Sequence, residues 1–279
     1  MSTFTRVRFA TSYQPHFHGV DPDSLAALAQ HAEACGFEGL YLPEHVAGYP
    51  GTRAGAMEIP PTTPFLDPID CLAFVAAATE RILLGTGVLL LPYHHPVTLA
   101  KRLATVDVLS KGRLRLLTVG VGAFPEEAAA VGVDFTTRGR RADEAIDVLR
   151  LLWSGGPATF AGEFFTLSEV YSLPTPLGEL PIHVGGSSRA AARRAGLRGN
   201  GYFAGGAVSP EERARQLDVA RETAAEAGRD PDALEYTRWG SIDMTSSAVE
   251  KFAAQGVTRI VVSGTRDDLS AFADRFGMG

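Results

Sequence analysis

Glu44 and His45 stand side by side where an apolar run, Gly39-Leu-Tyr-Leu-Pro43, gives way to a stretch rich in Gly, Pro and Thr. An imidazole in such a place can take up or release a proton near neutral pH, and a neighbouring carboxylate can fix its orientation. Three glycine-bearing segments also lie at or near the ends of apolar runs: Gly85-Thr86-Gly87, Gly120-Val121-Gly122 and Gly185-Gly186-Ser187-Ser188. The last sits between an apolar run and an amphipathic one. There it offers backbone N–H groups at the positive end of a helix, a cradle for phosphate. The same Gly-Gly also reads as a tight strand-to-helix turn, and Gly120 and Gly122 read equally as close packing or as contact with a flat ligand.

Other chemistries lack their patterns. His94-His95-Pro96 resembles a metal pair, but adjacent side chains diverge and no HExxH follows, so no metal is expected. Cys35, Cys71 and Ser187 have no GxSxG or Cys–His setting, which disfavours covalent acyl transfer. No GxGxxG opens a helix after Gly120, so the segment is not a Rossmann fingerprint. His16 and His18 read equally as cavity-lining or loop residues. Taken together, these segments hold histidines, glycines and few carboxylates, which suits a planar anionic organic ligand.

The elements that must position these residues follow a repeating order. Arg81 to Gly122 contains two apolar, glycine-tipped runs around an amphipathic segment from Pro96 to Gly112, one βαβ unit of a parallel sheet. The runs are apolar throughout, as expected of strands covered on both faces. Further strands are expected at Val7 to Tyr13, Glu38 to Pro43, Ile182 to Val184, Gly201 to Ala204, Leu234 to Met244 and Arg259 to Val262. Helices are expected over Asp21–Cys35, Asp67–Glu80, Thr137–Trp153, Ser187–Leu197, Pro210–Ala227, Ala248–Gln255 and Asp267–Phe276. Eight strands alternating with eight helices predict an α/β fold, a (β/α)8 TIM barrel formed as a single domain over residues 1–279. An open doubly wound sheet is the alternative. Ser154 to Leu180 breaks the rhythm as an irregular insertion between helix 4 and strand 5. In a barrel the C-terminal ends of the strands form the ligand-binding mouth.

The bulk numbers narrow the function classes. The chain has 279 residues and a net charge of −6 (26 Lys+Arg, 32 Asp+Glu), which argues against nucleic acid as a partner. Met1 to Tyr13 shows no signal-peptide core and no apolar run approaches the ~20 residues of a membrane span, so a cytoplasmic protein with no membrane association is expected. Cys35 and Cys71 read as buried, reduced core thiols.

The runs LGTGVLLLPYHHPVTLAKRLATVDVLSKGRLRL, VGVGAFPEEAAAVGVDFTTRGRRADEAIDVLRLLW and PIHVGGSSRAAARRA, with GFEGLYLPEHV, resemble the bacterial-luciferase-like monooxygenase superfamily. They are most similar to its coenzyme F420-dependent oxidoreductase branch, and the resemblance runs from about Gly36 to Gly264. It implies a barrel with a flavin or deazaflavin at its C-terminal mouth. It also implies that Glu44 and His45 lie near the ring, with His45 handling a proton. By the same resemblance Gly87-Val88 is the site of a non-prolyl cis peptide behind the ring, Gly120 and Gly122 edge the cofactor site, and Gly185, Gly186 and Ser187 hold the phosphate. The chain departs from the branch at Glu44, usually Asp, and at Ala123-Phe124, commonly Gly-Trp or Gly-Tyr. The implied activity is hydride transfer between reduced F420 and a small organic substrate under the Val46–Pro64 loop. An FMN-dependent monooxygenase using oxygen, or a non-catalytic flavin-binding protein, are the alternatives. The resemblance also makes a homodimer an expectation.

Overall fold

Eight parallel strands close into a ring in this computed structural model, which describes residues 7–54 and 57–279. The strands are β1 (Arg8–Ser12), β2 (Gly39–Leu42), β3 (Leu83–Leu90), β4 (Leu114–Gly120), β5 (Ile182–Gly186), β6 (Gly201–Ala204), β7 (Glu235–Trp239) and β8 (Arg259–Val262). Each pairs with its neighbour in chain order, and β8 returns to β1 through Arg259 opposite Arg8 and Ile260 opposite Phe9. The helices that wrap them are α1 (Pro22–Ala34), α2 (Pro68–Ala78), α3 (Pro96–Leu109), α4 (Arg138–Trp153), α5 (Arg189–Arg198), α6 (Pro210–Glu226), α7 (Ser246–Ala254) and α8 (Arg266–Phe276). This is the expected (β/α)8 barrel. The expectation about Met1 to Tyr13 falls partly outside the described residues.

Local chemistry sets the helix boundaries. Asp21 caps α1 by accepting from Ser24 N–H at 2.8 Å, with Pro22 at the first helical position. Asp67 accepts from Ile69 and Asp70 N–H groups ahead of α2. Thr265 and Asp268 cap α8 reciprocally, and the helix ends at Gly277 in the left-handed region, φ 61°.

Three elements differ from the sequence-based expectation. Strand β7 stops at Trp239 rather than Met244: Gly240 N–H still donates to Val261 O at 2.9 Å, but the chain then turns, Met244 N–H donating to Ser241 O at 3.1 Å. The insertion between α4 and β5 is not irregular: Ala158–Ala161 and Thr166–Val170 form an antiparallel hairpin. Glu144 on α4 holds its turn by accepting from the N–H groups of Glu163, Phe164 and Phe165. The Val46–Pro64 loop also carries a short hairpin, Arg53–Ala54 against Met57–Glu58; the side chains of Ala54 and Met57 lie outside the described residues. Cys71 is buried as expected, its thiol pushed up to about 11 by burial and by Asp67 and Asp70, whereas Cys35 is only half-buried.

The barrel interior is layered. A middle layer of Ala10, Tyr41, Leu116, Phe203 and Val261 is apolar and buried. Leu116 occupies the space that a Cβ on Gly39 or Gly85 would take. Above it the register of β3 against β4 skips Val88: Gly87 faces Thr118 and Leu89 faces Val119. The Gly87–Val88 peptide is cis. Such a bulge re-aims a side chain, and the Val88 side chain crosses to β4 and β5. A Cβ on Gly120 would meet Val88 Cγ2 at 2.6 Å, and one on Gly185 would fall inside contact distance of Val88 Cγ1. Large residues set against paired glycines thus fill the narrowing interior.

Below the middle layer the floor is charged. Arg259, 1% exposed, bonds Glu38 at 2.6 Å and Glu235 at 2.7 Å, and Glu235 lies 3.4 Å from buried His183. Burial pushes the His183 imidazole down to about 4, although Glu235 opposes this. Burial alone would raise the Glu235 carboxyl, but Arg259, His183 and Arg8 bring it down to about 2.

Gly185→Ala overpacks Val88 and costs about 2 kcal/mol; Val88→Ala in the same chain recovers most of the loss, read as denaturant midpoints in a double-mutant cycle. The floor makes stability acid-sensitive. Both folded values lie below the unfolded ones, so unfolding takes up protons and stability present at neutral pH is lost as pH falls. The His183 contribution is lost from about 6.5 down to about 4 and the Glu235 contribution from the ordinary carboxyl range down to about 2. Urea midpoints followed from neutral pH to about pH 4 check this, and His183→Gln flattens the upper part of the curve.

Candidate active site

A cavity of about 810 Å³ opens at the C-terminal ends of the strands. Glu44, His45, Gly87, Val88, Gly120, Gly122, Gly185, Gly186 and Ser187 all line it. The structure therefore brings every sequence-predicted site residue to one place, although not all in the expected manner.

Glu44, at the end of β2, is buried and both its oxygens are engaged. Oε2 accepts from Leu90 N–H at 2.5 Å and Oε1 lies 2.8 Å from His94 Nε2. The expectation that this carboxylate orients His45 is corrected: adjacent side chains leave the backbone in different directions, and Glu44 is turned toward the end of β3. The carboxylate beside His45 is Glu127, on a short helix, Pro125–Ala130, that follows β4. Its oxygens lie 3.3 and 3.4 Å from His45 Nδ1, and Oε1 also accepts from Val46 N–H at 2.8 Å. Phe65 meets the His45 ring edge-on at 4.7 Å between centroids, and Phe124 lies 5.8 Å away.

The glycines divide by role. Gly120 and Gly185 border the cavity, but their missing side chains make room for Val88. Gly122 has φ 80° and abuts the Tyr93 hydroxyl, so it is required both for conformation and for space. Gly186 has φ 139° and leads to Ser187 and Ser188, of which Ser188 caps α5 by accepting from Ala191 N–H at 3.1 Å.

The far end of the cavity is suited to an anion. The first turns of α4 and α5 contain no acidic residue and both contribute lining residues: Thr136, Arg138 and Gly139 from the start of α4, Ser187, Ser188 and Ala190 from that of α5. Thr137 makes no side-chain cap to α4, so the first N–H groups there stay available. Helices α3 and α7 also start without an acidic residue but contribute no residue to the cavity lining, whereas α1, α2, α6 and α8 each carry Asp or Glu in the first turn. Arg194 of α5 ties the two starts together through Asp143 at 2.6 Å and Gly139 O at 2.9 Å. The Arg138 guanidinium stacks over Phe135 at 3.6 Å and gives one N–H to Phe135 O, while its buried Nε lacks a partner among the described residues.

The remaining histidines fall into structural places. His95 caps α3 through Val97 N–H, and His94 holds Glu44. His18 stacks on Tyr13 and bonds Gly264 O at 3.0 Å, with burial lowering its basicity; neither it nor His16 lines the cavity. Among the described residues no cluster of three or more His, Cys, Asp or Glu is placed to hold a metal. No residue of the α4–β5 insertion lines the cavity; its hairpin packs outside, against His95, Arg140 and Arg141. From the Val46–Pro64 loop, Arg53 and Ile59 reach the cavity. Sequence reasoning missed Glu127 and Arg138. Pro125-Glu-Glu reads as the start of a helix, and Thr136-Thr-Arg-Gly-Arg-Arg141 opens a helix with no acidic residue, an available sign of an anion site.

The sequence and the fold that build this mouth are similar to those of known proteins. The chain is 31% identical over 259 residues to an uncharacterized protein of Mycobacterium tuberculosis (strain H37Rv), covering 90% of this chain and 86% of that one. It is 34% identical over 221 residues to the F420-dependent hydroxymycolic acid dehydrogenase of the same organism, covering 76% of this chain and 56% of the relative. Its fold is similar to that of an F420-dependent secondary alcohol dehydrogenase solved with an F420–acetone adduct. There the TM-score is 0.80 at 19% identity, over 97% of this chain and 98% of the other. No described helix is long and apolar enough to cross a membrane. With the profile of the luciferase-like monooxygenases matching residues 1–251, the chain belongs to that family of enzymes.

Proposed function

We propose that this chain is an F420-dependent oxidoreductase acting on a small organic substrate, with a deazaflavin held in the barrel mouth. One observation carries the reading: a single cavity has an anion-accepting end at the starts of α4 and α5 and a histidine held by a buried carboxylate beside the strand β2 end. The residues fit such a group. The orphaned Arg138 Nε supplies a charge-assisted donor for a phosphate. The N–H groups around Gly186 to Ala190 would complete its cradle, and Gly87 and Val88 provide an apolar back wall. The F420-dependent dehydrogenase among the sequence relatives favours the deazaflavin.

When bound, the coenzyme supplies the hydride chemistry. The chain's own work is positional and acid–base. Val88, Phe124 and Ile59 exclude water from the mouth, and His45 holds or releases the proton that balances the hydride. Glu44 joins the ends of β2 and β3 and so fixes the backbone from which His45 projects.

The FMN-dependent monooxygenase remains a second reading, favoured by the name of the family itself, because the anion end suits either phosphate. Fluorescence-quenching titrations with F420 and with FMN separate the two. Binding of F420 at micromolar or lower concentration with FMN much weaker is expected; the reverse order replaces the proposal. Arg138→Ala is expected to raise the coenzyme Kd about tenfold or more, equivalent to about 1.4 kcal/mol. His45→Ala should keep coenzyme binding within a few-fold and lose turnover by roughly a hundredfold or more. Undiminished turnover in that variant removes His45 from the chemistry and, if no turnover exists at all, leaves the carrier reading.

A further inference from the structure

We propose that Glu127 is a positioning residue that fixes the tautomer of His45, placing the proton on Nδ1 and leaving Nε2 as the free acceptor in the cavity. The inference rests on the reading of His45 as the proton-handling group and extends it to the atom that handles the proton.

Glu127 is 0% exposed, yet it sits beside a cavity rather than in the apolar core. Its two oxygens straddle His45 Nδ1 at 3.3 and 3.4 Å, and Val46 N–H reaches Oε1 at 2.8 Å. A carboxylate only accepts hydrogen bonds, and the Val46 N–H can only donate. A neutral imidazole facing such a group must therefore carry its hydrogen on the facing nitrogen. Nε2 lies on the other side of the ring and makes no hydrogen bond among the described residues. The edge-on Phe65 and the tilted Phe124 restrict rotation of the ring out of this pose. The same carboxylate holds the backbone just past His45, so ring and chain are fixed from one point. The second carboxylate nearby, Glu44, is spent on Leu90 and His94 and does not compete for His45.

The consequence is chemical. A neutral ring with Nε2 unprotonated is set to take the proton of a substrate hydroxyl, while the hydride from the carbon bearing it would pass to the oxidised coenzyme, leaving a carbonyl. In the reverse direction Nε2–H would return the proton to a carbonyl oxygen as the reduced coenzyme gave its hydride to the carbon. Either way one atom does the work.

The test is nitrogen NMR of the full chain labelled with ¹⁵N-histidine and studied without added coenzyme, at a pH where imidazole is neutral. His45→Gln assigns the signal by its disappearance. The expected wild-type spectrum shows His45 with protonated Nδ1 and bare Nε2; protonated Nε2 overturns the proposal without recourse to any variant. In Glu127→Gln the amide can donate as well as accept, so a several-fold rise in the other tautomer is expected, and an unchanged spectrum also overturns the proposal. Glu127→Asp, which keeps an acceptor-only group, should restore the wild-type tautomer at least in part. Turnover is read separately. A Glu127→Gln variant with kcat lowered about a hundredfold and KM within about twofold supports both the tautomer and the role of His45. A shifted tautomer with unchanged kcat supports the clamp and removes the assigned role of His45.

Discussion

Val88 has little room except between Gly120 and Gly185, and the shape of the mouth follows from that. The residue is skipped in the pairing of β3 with β4, so it projects inward where its neighbours pair. With the ends of β4 and β5 reduced to backbone at this level, one valine spans three strands and forms the back wall of the cavity. The layer beneath uses the same device, Leu116 filling the space left by Gly39 and Gly85. A barrel of eight strands has an interior only wide enough for its own side chains. Side-chain-free positions next to bulky ones let it fill completely in the middle and still open at the top.

Above that wall the polar groups are sorted by charge. Two buried carboxylates stitch three successive connections: Glu44 joins the end of β2 to the end of β3, and Glu127 joins the segment after β4 to the loop after β2. On the other side, α4 and α5 present acid-free first turns bound to each other by Arg194. The cavity therefore has a side fixed by buried acceptors and a side of unspent donors. Both are held by groups that need not move when a ligand enters, which is what electrostatic preorganisation requires.

Much of this was legible in the sequence, for identifiable reasons. The barrel was readable because β3 and β4 are apolar on both faces and the helices start at Pro22, Pro68, Pro96 and Pro210, each at a first helical position. The mouth was readable because glycines and histidines gather at strand ends. Less legible were relations between distant residues. That Glu44 serves His94 while Glu127 serves His45 depends on contacts 50 and 82 residues apart, which no local spacing encodes. Gly120 and Gly185 were readable as special, but not that the demand comes from Val88. The hairpin at Ala158–Val170 was hidden by the polar, glycine-rich character of its flanks, and the turn that fixes it is held by Glu144 from another element.

The two charged ends of the barrel are kept apart by the apolar layer of Ala10, Tyr41, Leu116, Phe203 and Val261. At the floor, Arg259 and its carboxylates satisfy one another, although Nδ1 of the adjacent His183 has no partner among the described residues, and removing one member of the ion pairs would strand a buried charge. At the mouth, donors such as Arg138 Nε are left without partners. Groups left unsatisfied lower stability unless a ligand completes them, so a fold that carries them must secure itself elsewhere. The floor does so by closing β8 onto β1, β2 and β7 through Arg259, Glu38 and Glu235, near the joint between the chain's first and last strands. Binding capacity at one end of the strands is thus made tolerable by closure at the other, and the apolar layer between them limits how far a change in either charge set is felt.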